Sequence, residues 1–228
     1  MVTIPTSARY FERPEPYLRG NYRLRLRREV VGELIGEPRG KRILDLGCGD
    51  GAVSLPMATN NQVTLVDNSA AMLDAARANA RELGAAGCTF VQADAASVDA
   101  GDMDIVLALG VLAHVDDIDP VIAAIARHLA PGGVAVLQFS DKNRLFYRIG
   151  RLLWALRGRG YALTSRSEVL AAAERHGVVS MDERNHLVCV PGFQRLMGPA
   201  LIPYDRIVRR IPLLARLGTD TILLLRRR

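Results

Sequence analysis

The chain has 228 residues, 49% of them hydrophobic, and a formal net charge of +6. That is enough for one sizeable core and suits a single α/β domain with additions. Three scattered cysteines, Cys48, Cys88 and Cys189, exclude a disulfide framework or a cysteine metal motif, which makes a reducing cytoplasm the default. No run of 18 apolar residues offers a membrane span, and Met1–Pro5 lacks the apolar stretch of a signal peptide.

Residues 1–20 carry Tyr10, Phe11 and Tyr17 among three prolines, which argue against an uninterrupted helix. From Tyr22 a helix is predicted, with Leu26, Val30 and Leu34 on one face and a run of arginines elsewhere. It is either a helix packed on a sheet with a solvated arginine side or a lid over a site. Then comes Ile43-Leu44-Asp45-Leu46-Gly47-Cys48-Gly49-Asp50-Gly51. An apolar run ending in three alternating glycines predicts a strand, a tight turn and a helix start, here Ala52 to Ala58. The third glycine comes too early for the G-x-G-x-x-G of dinucleotide binders. Asp45 and Asp50 would repel a pyrophosphate. A ligand with an amino group and no phosphate tolerates them, and S-adenosylmethionine (SAM) is such a ligand.

The loop resembles the first motif of class I SAM-dependent methyltransferases. Val63-Thr64-Leu65-Val66-Asp67 resembles a second strand ending in the acid that takes both ribose hydroxyls. Phe90-Val91-Gln92-Ala93-Asp94-Ala95 resembles the third motif, whose Asp meets the adenine amino group. Asp104 through His114 and Leu129-Ala130-Pro131-Gly132-Gly133 resemble the fourth strand with its loop and the turn before the fifth. The ordered set spans roughly residues 40 to 140. It implies a Rossmann-like, doubly wound α/β fold: a mostly parallel seven-stranded sheet with an antiparallel last strand and helices on both faces. It also implies SAM as cofactor, with S-adenosylhomocysteine as product. The residues implied at the cofactor are Asp45, Gly47, Cys48, Gly49, Asp67, Asn68, Met72, Asp94, Ala95, Leu109 and His114. Met72 is equally readable as a plain core residue, and Asp94 taken alone as a helix-cap carboxylate. In the family an N-terminal segment closes over SAM, so an arginine of the 19–28 cluster could pair with the cofactor carboxylate.

Val111 to Asp117 resembles a loop common among small-molecule methyltransferases. His114 either orients that loop or acts as general base. His186 is a second base candidate and Asp141 a weaker one. Residues 144–157 can form a basic amphipathic helix containing Trp154, readable as core packing, substrate cover or peripheral contact with an anionic membrane. Ser165 and Glu168 form a predicted capping box. Val178 to Met181 and His186 to Val190 are predicted as strand pieces around a polar kink. Tyr10, Tyr17 and Tyr147 are expected to shape a substrate pocket, and no metal is expected because His176 and His186 lack ligand spacing. The whole is expected to form one domain: residues 1–39 a lid and helix, 40–140 the SAM-binding core, 141–228 a substrate-covering insertion and the last strands.

The expected chemistry is methyl transfer to a small molecule, on oxygen first, with nitrogen or carbon as alternatives and a sugar or lipid-linked intermediate as the substrate class. The positive charge also suggests RNA, but no RNA-binding module or Asn/Asp-Pro-Pro-Tyr/Phe motif supports it. A SAM-binding protein without turnover is the alternative from another class, and nicotinamide-cofactor binding is a distant rival. The acceptor and the oligomeric state have no signal in the sequence.

Overall fold

Strand β1 (Arg42–Leu46) and strand β4 (Met103–Leu109) are buried over nearly their full length. Such continuous apolar runs belong to parallel strands covered on both faces. With β2 (Gln62–Asp67), β3 (Cys88–Gln92), β5 (Leu129–Ser140), β6 (Val178–His186) and β7 (Asp220–Arg227) they form one seven-stranded sheet in the order β3-β2-β1-β4-β5-β7-β6. The first five strands pair in parallel, and β7 is antiparallel to both β5 and β6. The computed structural model describes residues 22–149, 164–189 and 194–228. The expectations for Tyr10, Tyr17 and Trp154 lie outside the described residues.

Helices cover both faces. On one, α1 (Tyr22–Ile35) and α2 (Ala70–Leu83) set Val30, Val31, Ala76 and Ala80 against Ile43, Leu65, Leu107 and Val136. On the other, α3 (Asp119–His128) and α4 (Arg166–Arg175) set Ile122, Ile125, Val169 and Ala172 against Leu44, Val106, Leu137 and Leu223. The helix ends follow local chemistry. Ser69 caps α2 by accepting from the Met72 N–H, and Gly84 closes it in the left-handed conformation. The Ser165–Glu168 capping box opens α4. Residues 194–215 add three short helices: α5 (Gln194–Met197), α6 (Leu201–Val208) and α7 (Pro212–Ala215).

Three expectations change. The helix expected from Ala52 to Ala58 is only a 3-10 turn, Leu55–Thr59. Pro56 has no N–H to continue a ladder, and the Asn61 side chain takes the Met57 carbonyl at 2.7 Å. The two strand pieces after Gly177 are one strand, β6, bulged between Ser180 and Asp182 and ending at His186. Strand β5 begins five residues before Val134, because the Pro131-Gly132-Gly133 turn is absorbed as a register shift against β4. The 145–149 turn is helical, with Leu145 and Ile149 exposed and Tyr147 buried.

Candidate functional site

Strand β1 ends between β2 and β4, where the winding of the sheet reverses direction. Ligands of open α/β sheets bind in the crevice at that point, outside the carboxyl ends of the strands. The loop leaving β1 is built for close approach. Gly47 and Gly49 have φ of 68° and 57°. A Cβ on Gly47 would meet Val111 at 3.1 Å, and one on Gly49 would meet the Met72 Cε at 3.2 Å. Any side chain there would fill the cradle and strain the backbone.

Asp67 closes the loop from β2. Its Oδ2 accepts from the Gly49 N–H at 2.8 Å and its Oδ1 from the Ser69 N–H at 2.9 Å. The carboxylate is nearly buried, at 9% exposure. Asp45 and Asp50 are buried beneath the same loop. Burial pushes the Asp45 carboxyl up to about 7, and the nearby Asp67 adds to the rise while the Ser54 hydroxyl and Arg27 offset part of it. Burial also raises Asp50, with the Ala52 N–H pulling back, and raises the Cys48 thiol well above its ordinary range. Crowded acids of this kind favour a cationic group in the crevice.

The N-terminal helix α1 reaches the same edge. Arg27 Nη1 donates to the Leu109 carbonyl at 3.0 Å, and Arg23 Nη2 donates to the buried Asp220 at 3.0 Å. Sequence reasoning singled out an arginine cluster here without choosing among its members; the fold brings Arg23 and Arg27 to the strand ends. Gln138 was missed. It is 2% exposed at the carboxyl end of β5, and its amide oxygen has no hydrogen-bond partner. A glutamine inside the apolar Val134–Phe139 run was the available signal.

The remaining expected residues divide. Asn68 and Asp94 are exposed at the ends of β2 and β3, and Ala95 is half-buried. Asp94 Oδ1 holds its own turn by accepting from the Ala96 N–H at 2.8 Å. Leu109 and Gly110 lie at the end of β4. Met72 is 1% exposed under Gly49, so it supports the loop as core and offers no free face to adenine. His114 ends the 3-10 turn after β4 and is exposed. Burial against the surrounding protein, then Arg27, push its pKa below 6.5, with Asp67 offsetting part of the shift. His186 does not serve as a base: it is 1% exposed, both ring nitrogens lack partners, and burial holds its pKa down to about 4. A base must reach the proton it takes. Asp141 is buried too, accepting from the Asn143 N–H and pairing with Arg144. Tyr147 is buried on the turn after it. His176 pairs with Asp119. Among the described residues no group of three or more His, Cys, Asp or Glu is placed to hold a metal. A cleft of about 430 Å³ lies between the 112–118 loop and α4, lined by Leu112, Val115, Asp117, Lys142, Thr164 and Arg175.

The strand order, the glycine loop and the acid ending β2 are those of the fold shared by class I SAM-dependent methyltransferases. Residues 43–133 match the family described as a methyltransferase domain. The chain is 34% identical over 141 residues to the ubiquinone biosynthesis O-methyltransferase of Alkalilimnicola ehrlichii, covering 60% of this chain and 55% of that protein. It is 40% identical over 111 residues to the protein of the same name from Xanthomonas axonopodis pv. citri, covering 47% and 46%. The chain thus spans about half the length of the curated relatives it matches. Among solved structures, it resembles a magnesium protoporphyrin IX methyltransferase from Synechocystis with bound S-adenosylhomocysteine, at TM-score 0.65 and 21% identity over 90% of this chain and 83% of that one. It also resembles a possible histamine N-methyltransferase from Thermotoga maritima, at TM-score 0.67 and 15% identity over 96% and 98%. These likenesses are of fold.

Proposed function

We propose that the chain binds SAM and transfers its methyl group to an oxygen of a small molecule. The observation that carries this is the loop itself: two glycines open to close approach, with the Asp67 carboxylate fixed across them. The residues present fit the cofactor. Asp67 would take the ribose hydroxyls, Asp94 the adenine amino group, and Asp45 and Asp50 would favour the positive charge of the methionine end. Arg27, at the Leu109 carbonyl, is the arginine best placed for its carboxylate. When bound, SAM supplies an electrophilic methyl carbon on a sulfonium, so the protein's main task is alignment of donor and acceptor.

The oxygen acceptor is supported by the names of the curated relatives, both O-methyltransferases. The cleft beside the His114 loop supports a small molecule over a polymer. His114 is the described base candidate whose ring reaches the surface at the end of β4. Its lowered pKa keeps it neutral, and able to accept a proton, at pH 7.

The test is calorimetric titration with SAM, S-adenosylhomocysteine and NADH, followed by a screen of phenols, catechols and amines with labelled SAM. Binding of S-adenosylhomocysteine with methyl transfer to a hydroxyl supports the reading. NADH binding in place of both sulfur ligands overturns it, and binding without transfer to any acceptor leaves a SAM-binding protein.

A further inference from the structure

We propose that the surface formed by residues 194–217 docks on an anionic lipid bilayer. Among the described residues nine large hydrophobic side chains are exposed, and five of them, Leu196, Tyr204, Ile207, Ile211 and Leu213, fall within this one stretch. Leu196, Leu213 and Ile207 are 80%, 74% and 64% exposed. Scattered surface leucines are ordinary; this density in consecutive short helices is not. The helix explains the division of residues. Leu201, Ile202 and Asp205 of α6 face inward, which turns Ile207 outward on the opposite side, while Tyr204 sits on the flank with its hydroxyl donating to the Val188 carbonyl at 2.9 Å. Ile211 and Leu213 continue the apolar surface across the turn into α7.

Charge selects the occupant. Residues 22–35 and 194–217 together carry nine arginines and three acids. The acids are all engaged: Asp205 is fully buried beside Arg209, while Glu29 and Glu33 hold Arg206 and Arg209. Those pairs lock α1 to α6. They leave Arg210 and Arg216 exposed within the apolar stretch, and Arg25 and Arg28 exposed on the helix α1 that it is locked to. A second copy of the chain related by a twofold axis would set arginines near arginines, and a nucleic acid would leave the leucines in water. A bilayer containing acidic lipids accommodates both, taking the apolar side chains into its interface and the guanidinium groups at its phosphates.

The position of the surface agrees with this. Arg144 Nη1 donates to the Arg216 carbonyl at 2.7 Å, so the turn that exposes Leu145 and Ile149 adjoins the end of α7. Both segments leave the sheet where β5 and β6 end, the edge that carries the glycine loop. No helix of the described residues is long and apolar enough to cross a membrane, so the contact is peripheral.

The experiment is sedimentation of the full chain with vesicles of phosphatidylcholine alone or mixed with phosphatidylglycerol, at low salt and at about 0.5 M salt, where screening is short-ranged. The wild type is expected to pellet with the mixed vesicles, and salt or omission of phosphatidylglycerol should release most of it. Ile207→Ser with Leu213→Ser should reduce the bound fraction at least tenfold, as should Arg210→Glu with Arg216→Glu. Leu83→Ser, on an exposed residue at the far end of α2, should bind as the wild type does. Thermal melting confirms that each variant is folded. A wild type that stays in solution with mixed vesicles overturns the proposal, as does a serine double variant that pellets unchanged. So does a dimer, detected by light scattering, that the serine variant breaks while vesicle binding is absent. No methyl transfer is involved, so the result is separate from that of the proposed reaction.

Discussion

Asp67 Oδ2 accepts from the Gly49 N–H at 2.8 Å, so the residue that ends β2 holds the second glycine of the loop that ends β1. One carboxylate fixes the glycine loop, and in the proposed function it would also take the ribose hydroxyls. Asp67→Ala removes two acceptors for ligand hydroxyls, each charge-assisted bond being worth about 1.5–3 kcal/mol. The affinity for S-adenosylhomocysteine is expected to fall at least about 100-fold on that basis. The fold should also lose about 1–3 kcal/mol, because the Gly49 and Ser69 N–H groups lose their partner. Calorimetry and urea unfolding measure the two effects; unchanged affinity would remove Asp67 from the site.

Asp45 makes stability fall with rising pH. Its folded pKa of about 7 stands above the ordinary 3.8. Between those values the native state holds a proton that the unfolded chain has released, so the stabilisation present below pH 4 is lost as pH rises through 7. Asp45→Asn should therefore stabilise the protein at pH 8, by at most roughly 4 kcal/mol at 1.36 kcal/mol per unit, and change little at pH 4. A cationic ligand draws the proton off Asp45, so SAM binding near pH 7 should release protons. Titration in two buffers of different ionisation enthalpy detects this, and identical heats would reject it.

Gly51 packs where no side chain fits. Its φ is 74°, and a Cβ would lie 2.7 Å from the Leu55 Cγ and 3.0 Å from the Leu65 Cδ2, both in the core. Gly51→Ala combines left-handed strain with overpacking, roughly 2–4 kcal/mol together. A fall in Tm of about 5–15 °C is expected. Gly40 has a similar φ with nothing within 4 Å, so Gly40→Ala isolates the strain alone and should cost about 1 kcal/mol. Equal losses for the two would mean that Leu55 and Leu65 give way freely.

His114 should set the acid limb of the rate. Because its pKa is lowered by burial and by Arg27, kcat is expected to rise through an apparent pKa below 6.5 and to level off by neutral pH. His114→Ala should remove that limb and lower kcat about 100-fold or more, the usual contribution of a general base. A variant with unchanged kcat at saturating acceptor would show that His114 only shapes its loop.

Much of the architecture was legible along the chain. The apolar runs that became β1, β2 and β4, the glycine loop, the Ser69 cap and the Ser165–Glu168 box are signals within a few residues of one another. Periodicity and turn chemistry act at that range. Asp67 at the end of β2 and Asp94 two residues past β3 were singled out by their order in a motif set, which is a property of sequence. Less was legible where neighbours compete: the turn after the loop stayed 3-10 because Asn61 claims the Met57 carbonyl, and Met72 went wholly into the core.

What the sequence by itself determined is therefore the succession of strands and the glycine loop that ends β1. Tertiary structure alone decided which arginines reach the carboxyl ends of the strands and which histidine is exposed. Arg27 meets Leu109 across 82 residues and Arg23 meets Asp220 across 197. His186 is sealed under contacts that the same packing creates. Charge placement and burial depend on such distant contacts, and a local pattern holds no information about which of them will close.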